Sequence, residues 1–298
     1  MGAWGFVKVA LLILIIIELS IAIEEFLSAR LELRRGFSGA KNSPFRVFAR
    51  HGLKILRTEG TFAQHLAAAF KFLIVFLAAG LLPIWGGKVP IPYMHSFWIF
   101  TTLVILGPVL HLIFEWAIKG GSGWPLILVT SERTIGGCTV HFILAITLVA
   151  MTGVDHFAGF RDIQLEHGWI IWRYPWAIFI LFAYAVANLF TSFQTIFSRD
   201  KDEKAAGWSF EELLPQMRRT VWTLFIVDVF LGGAGSLGVL GDMALVLKCV
   251  GINVLSKVTS QLFFHLREDQ AEAFMLWKLT PISILILALS LLLPGGVS

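Results

Sequence analysis

The sequence predicts an all-α integral membrane protein with about eight transmembrane helices. Three observations lead to this fold class: long apolar runs, few charges, and basic residues concentrated in alternate loops. Of the 298 residues, 57% are hydrophobic and only 15% are charged, whereas about a quarter of a soluble domain is charged. Runs of about 18 apolar residues have the length that crosses a bilayer as a helix.

The apolar runs place eight spans along one membrane domain, residues 1–298. The first run has no small-residue cleavage site and is interpreted as a retained helix rather than a signal peptide. Five glycines between residues 232 and 241 predict a tight turn or close helix packing around the sixth and seventh spans. The predicted spans are 3–23, 66–84, 97–118, 125–152, 169–196, 221–240, 242–264 and 280–294.

Lysine and arginine are concentrated in the odd-numbered loops. The even loops hold only Lys88 and Arg161. Because basic loops stay in the cytoplasm, the pattern predicts cytoplasmic odd loops, an inner-membrane location and both termini outside. The largest basic loop, residues 24–64, is predicted to dock a soluble partner or to lie along the membrane surface.

The composition excludes several kinds of site. Cys138 and Cys249 both lie in apolar runs without a C-x-x-C motif, so we expect no iron–sulfur cluster, structural zinc or other cofactor in this chain. The net charge of +4 is spread over membrane-flanking loops, which indicates a lipid bilayer rather than a nucleic acid as partner. His111 and His141 lie in neighbouring spans, and a cytochrome-b-type quinol subunit is therefore an alternative function, although isolated polar histidines are favoured over haem ligands.

Polar residues inside the spans have two interpretations. In the fifth span they recur at helical spacing from Asn188, and in the seventh from Asn253 to Lys257, with Lys248 one turn earlier. They either join helices by hydrogen bonds or line a hydrated proton or ion path. In the second case Lys257 is a titrating relay with Asp228 as a partner. The candidate path residues are Asn188, Asp228, Lys248 and Lys257.

Short segments carry a resemblance to a known family. They are an arginine-rich turn at 28–36, a G-L-K helix at 49–59, an R-x-D-Q…W-K…P segment at 267–281 and an S-E-R at 131–133. Together with the eight-span layout they resemble the H-type membrane subunit of respiratory complex I (the NADH:quinone oxidoreductase subunit 1 family). That subunit has a counterpart in membrane-bound NiFe hydrogenases and formate hydrogenlyase.

The chain departs from the family pattern at its acids. Of the family's P-F-D-L-x-E-A-E segment, only Phe197 and Glu203 are retained. The acids of its fourth and fifth spans fall near His141 and Thr191. These differences favour a divergent member of the hydrogenase-like branch.

The resemblance implies a non-catalytic coupling subunit. It would link a cytoplasmic redox arm to proton or ion translocation, with hydrogenase-like soluble subunits and antiporter-like membrane subunits as partners. Iron–sulfur clusters, and NiFe or quinone, would belong to those partners. A stand-alone small-solute or ion transporter is the alternative, although no internal repeat of the kind common in transporters is present. The implied docking residues are Arg34, Arg35, Lys54, Glu59 and Arg267, and the implied interface acids are Glu203 and Asp269.

Overall fold

The chain folds into helices, which confirms the all-α prediction for the residues that the structure describes. A computed structural model describes residues 3–31, 62–84, 89–91, 93–119, 124–174, 176–186, 209–235, 239–263 and 273–292. A π-helical turn at Met275–Leu279 leads into the last helix. The helices are α1 (Ala3–Leu31), α2 (Phe62–Gly80), α3 (Ser96–Lys119), α4 (Trp124–Thr152), α5 (Phe157–His167), α6 (Ile170–Arg173), α7 (Ala177–Val186), α8 (Ser209–Phe230), α9 (Val239–Phe263) and α10 (Thr280–Leu292).

Two predicted spans differ from the helices observed. The sixth, predicted at 221–240, is instead the C-terminal half of α8, which ends at Phe230. The cause is the left-handed backbone of Gly232 and Gly233, which ends an α-helix. The fifth, predicted from residue 169, begins with the four-residue α6 and resumes as α7. Pro175 lies between the two helices in the sequence, and the residue before a proline disfavours the helical conformation.

Two helices of the described residues have the apolar length that a membrane requires. Within the described residues, Thr134–Thr152 and Val239–Ser256 are long and apolar enough to cross a bilayer. Shorter apolar helical stretches occupy Ala69–Gly80, Ser96–Leu110, Ala177–Val186 and Leu276–Leu292.

Helix α8 is the centre of the bundle. Every residue from Thr220 to Phe230 is buried, as expected for a helix with neighbours on all sides. It packs against α1, α2, α5, α6 and α9. Beside it lies an aromatic cluster from three helices, in which the Phe100 and Phe225 rings stack with centroids 5.0 Å apart.

Contacts between helix ends show that the described helices alternate in direction. The start of α3 meets the loop that follows α4, where the Phe97 amide donates to the Asp155 carbonyl oxygen at 3.3 Å. At the opposite end of the bundle, Glu24 near the end of α1 contacts Arg219 in the first half of α8. The described residues of the second and fourth loops therefore lie at one end of the bundle. Which end faces the cytoplasm stays a prediction.

The outward face of α1 is apolar. Large side chains at every fourth position are exposed by 40–50%, whereas the opposite face of the helix is buried in the core. A soluble protein rarely presents so continuous an apolar surface to water, and this stripe is suited to lipid or to a neighbouring helix. Its residues are Val7, Leu11, Ile15, Leu19 and Ile23.

Candidate functional site

A buried carboxylate lies near the end of the central helix. Asp228 is 4% exposed, and neither carboxylate oxygen has a hydrogen-bond partner among the described residues. Its backbone carbonyl oxygen accepts a hydrogen bond from the Gln164 side-chain amide at 2.9 Å. An ionisable group in an apolar bundle is costly unless it is paired or neutral, so Asp228 marks this position as a candidate functional site.

The turn after α8 places a lysine beside Asp228. The Gly233 amide donates to the Val227 carbonyl oxygen at 3.0 Å, which closes the turn with Gly232 in the left-handed region. The turn leaves two carbonyl oxygens without a helical donor. The Lys248 ammonium donates a hydrogen bond to each of them, at 2.8 Å from Nζ to the Leu231 oxygen and 3.0 Å to the Gly233 oxygen.

Two more residues complete the Asp228 site. The Lys248 Nζ lies 5.2 Å from the centre of the Trp169 ring, within the range of a cation–π contact. Arg161, from α5, and Lys248 are the cations that attract the Asp228 carboxylate. The site thus combines a buried carboxyl group, two basic groups and two carbonyl oxygens that bind the ammonium. A carboxyl group in such a setting can take up, hold and release a proton.

A second polar cluster, the Asn253 cluster, connects α1, α8 and α9. Thr223 donates to the Asn253 side-chain oxygen at 2.6 Å, and the Asn253 amide donates to the Ser20 hydroxyl at 3.0 Å. Arg219 donates to the Asn253 backbone oxygen and forms an ion pair with Glu24, at 2.7 Å between Nη2 and Oε1. Polar groups therefore extend from the Glu24–Arg219 ion pair at one end of the bundle to Asn253 in its interior.

The two clusters occupy successive levels of the same helices. Thr223 and Asp228 are five residues apart on α8, about 7.5 Å along the helix axis. Lys248 and Asn253 have the same separation on α9. The interface between α8 and α9 therefore contains polar groups at two depths.

A buried histidine lies on the other side of α8. The His141 Nδ1–H donates to the Gly137 carbonyl oxygen of its own helix at 2.6 Å, and its ring centroid lies 4.4 Å from that of Trp222. Its Nε2 has no hydrogen-bond partner among the described residues. A small cavity beside it is lined by Cys138, Arg218 and other residues. Its volume, measured as the space open to the centre of a water molecule, is about 10 Å³, which is room for roughly one water.

The described residues offer no metal centre. Among them, no three or more histidine, cysteine or carboxylate side chains converge as metal ligands would. His141 packs against the rings of Trp222 and Tyr184. These findings concern only the ranges given above.

Comparisons with known proteins find a shared fold but no matching family. No family model matches the chain, and no curated protein matches it.

The chain shares its fold with a chain of an archaeal respiratory membrane complex. That complex is the membrane-bound sulfane sulfur reductase (MBS). The TM-score is 0.75 at 16% sequence identity, and the alignment covers 96% of this chain and 99% of the other. The likeness therefore extends over nearly the whole fold of the sulfane sulfur reductase chain.

The structure brings two of the predicted path residues together. Asp228 and Lys248 meet at the turn after α8, whereas the sequence interpretation paired Asp228 with Lys257. Lys257 lies in α9 nine residues after Lys248, about 13 Å along the axis. Asn253 takes part in helix–helix hydrogen bonds, the first of the two interpretations of its stripe.

The remaining predicted site residues lie outside the described ranges. Their proposed roles stay predictions. They are Arg34, Arg35, Lys54, Glu59, Asn188, Glu203, Arg267 and Asp269.

Sequence reasoning missed the residues that α5 and α8 contribute. Arg161 and Gln164 belong to the Asp228 site, but the sequence placed them in the loop between the predicted fourth and fifth spans, and Trp169, the first residue of the predicted fifth span, was not singled out. Arg219 was assigned to a cytoplasmic loop because the predicted sixth span began at residue 221. The recurrence of Arg219 and Thr223 four residues apart, as on one helix face, was the available signal.

Proposed function

We propose that this chain is the membrane-embedded coupling subunit of a multisubunit respiratory complex of the complex I or energy-converting hydrogenase type. It would join a cytoplasmic redox arm to proton or ion translocation and would catalyse no reaction alone. The observation that carries this proposal is the shared fold with the sulfane sulfur reductase chain, which extends over 96% of this chain and 99% of the other. Such extensive likeness supports a similar place in a membrane complex.

The buried charges support a coupling role beyond anchoring. A helix bundle that only anchored a partner would gain nothing from placing Asp228 in its interior, with the partly exposed Lys248 beside it, because buried ionisable groups are costly. Ionisable residues in such positions commonly mark proton or ion paths. We therefore assign Asp228 and Lys248 to the path, and Asn188 and Lys257 as further candidates.

The basic loops would form the socket for the redox arm. In this proposal the soluble partner subunits hold the iron–sulfur clusters and the NiFe or quinone site. Antiporter-like subunits lie beside this chain in the inner membrane. Arginine suits the socket because its guanidinium binds carboxylates in a bidentate way. The proposed docking residues are Arg34, Arg35, Lys54, Glu59 and Arg267, with Glu203 and Asp269 as acids near the interface.

Purification of the tagged chain in mild detergent from its native membrane tests the proposal. We expect iron and acid-labile sulfide to co-purify in stoichiometric amounts, together with multi-span subunits. Docking is tested by the double substitution Arg34→Glu and Arg35→Glu, which should release the iron–sulfur subunits while the membrane subunits stay bound. Lys8→Glu, at the opposite end of the first span, is the matched charge control.

Two results would contradict the proposal. A stable solitary protein that transports a solute after reconstitution would establish the transporter alternative. A Soret band that remains with the purified single chain would establish the cytochrome alternative.

A further inference from the structure

The Asp228 site contains a cation that is close to its acid but bonded elsewhere. The Lys248 ammonium donates to the Leu231 and Gly233 carbonyl oxygens, while the Asp228 oxygens accept no hydrogen bond from a described residue. A salt bridge in a protein interior is normally hydrogen-bonded, because the interaction otherwise fails to offset desolvation. The separation of these two groups therefore calls for an explanation.

Gly233 makes the carboxylate and the ammonium neighbours of the same residue. Its carbonyl oxygen accepts the hydrogen bond from Lys248 at 3.0 Å. On its other side, a Cβ atom added to Gly233 would lie 2.7 Å from Asp228 Oδ1, so the carboxylate packs directly against the glycine. The carbonyl that holds the ammonium and the carboxylate therefore both adjoin Gly233, and the lysine has a flexible four-carbon side chain.

The lysine also connects the site to the surface. Lys248 is partly exposed, and Trp169, whose ring lies beside the ammonium, is 39% exposed. Asp228 itself is buried. Among the described residues, the charged and titratable groups that interact with Asp228 are Lys248 and Cys249 from α9 and Arg161 from α5.

We propose that Asp228 and Lys248 form a proton-exchange pair, in which the ammonium alternates between the turn carbonyls and the Asp228 carboxylate. This inference rests on the proposed function and deepens it by naming the proton as the ion exchanged at this end of the bundle. In the structure the ammonium binds the carbonyls, and the proposal assigns a neutral carboxyl group to this arrangement.

Proton release follows from the movement of the lysine. As the ammonium reaches the carboxyl group, the Asp228 O–H bond breaks and the proton passes to water at the Trp169 side. The resulting carboxylate is then neutralised by Lys248, which keeps its own proton throughout. Uptake reverses these steps, and no oxidant or reductant takes part.

Infrared difference spectroscopy of the purified complex across pH tests the pair directly. We expect a carboxylic-acid C=O band that titrates in the native protein, disappears in Asp228→Asn and stays in Asp162→Asn, which changes an exposed aspartate on α5. Without the lysine cation, the midpoint of this titration should rise by roughly 1–3 pH units in Lys248→Met. If Lys248→Met does not fold, Lys248→Gln replaces it, since its amide is also neutral and can donate to carbonyl oxygens.

Proton translocation gives the second measurement. In inverted vesicles, Asp228→Asn should lower the initial rate of redox-driven acidification at least tenfold, whereas the Asp162→Asn rate stays unchanged. A titrating Asp228 band in a protein that has no redox partner would retain the pair and refute the proposed function. An unchanged band in Asp228→Asn, an unchanged midpoint in both neutral lysine variants, or a midpoint set by sodium concentration would refute the pair.

Discussion

Replacing Gly241 by alanine tests the contact that fixes the start of α9 beside the Asp228 site. A Cβ atom at Gly241 would lie deep inside the contact distance of the Ala234 carbonyl oxygen and 3.0 Å from its carbonyl carbon. Because both atoms belong to the backbone, the turn itself must move. Overpacking of this kind costs about 3 kcal/mol, and the helix preference of alanine over glycine offsets about 1 kcal/mol. The expected net destabilisation is about 2 kcal/mol.

Gly251→Ala is the matched control because it lies in the same helix. An added Cβ at Gly251 meets no atom within 4 Å, so only the helix preference acts and stability should rise by about 1 kcal/mol. The two alanine variants should therefore differ by about 3 kcal/mol in free energy of unfolding.

Unfolding in mixed detergent micelles, followed by tryptophan fluorescence, measures this difference. Circular dichroism of each variant before titration shows whether the helical content is unchanged. Two variants with equal stability, or a more stable Gly241→Ala, would refute the packing of Ala234 against α9. The geometry assigned to the Asp228 site would then also lose its support.

Three further predictions concern the polar contacts. Asn253→Leu removes two side-chain hydrogen bonds and should lower the free energy of unfolding by about 1 kcal/mol in the same assay, at about 0.6 kcal/mol for each bond; an unchanged value would contradict the Asn253 cluster. A double-mutant cycle with Glu24→Gln and Arg219→Gln should give a coupling energy of about 1–2 kcal/mol, and additive effects would show that the ion pair contributes nothing. At the loop end, a hydrogen bond from His95 lowers the pKa of Asp155 below its ordinary value of 3.8. This contact stabilises the folded protein at pH values above the unfolded-state pKa of Asp155, and the stabilisation is lost as pH falls through the folded-state pKa. The unfolding midpoint should therefore depend less on pH between pH 5 and pH 3 in Asp155→Asn than in the native protein. An unchanged acid dependence would refute the contact.

The resemblance found in the sequence and the shared fold are two independent grounds for the proposed function. Short segments such as the G-L-K helix at 49–59 carry the resemblance, but they lie outside the described residues. The shared fold, in contrast, comes from helix order and packing, at only 16% identity.

The helix content and the bounds of several helices were predictable from the sequence alone. Apolar length determines where a chain can cross a bilayer, and the positions of lysine and arginine determine which loops share an end. Both are properties of local composition, so α3 and α4 lie close to their predicted spans. The turn after α8 was also indicated, because several glycines within ten residues favour backbone conformations that end a helix.

Only the tertiary structure decided which polar groups meet. Asp228 and Lys248 are twenty residues apart, and the left-handed turn at Gly232 and Gly233 determines that they become neighbours. Arg161 lies in α5, a short helix whose low apolar content gave no signal. Ser20 and Asn253 are more than two hundred residues apart and are joined only by the packing of α1 on α9. The composition of a segment indicates whether it can lie in a bilayer. The partners of a buried charge depend instead on helix rotation and turn geometry, and a hydropathy profile contains no information about either.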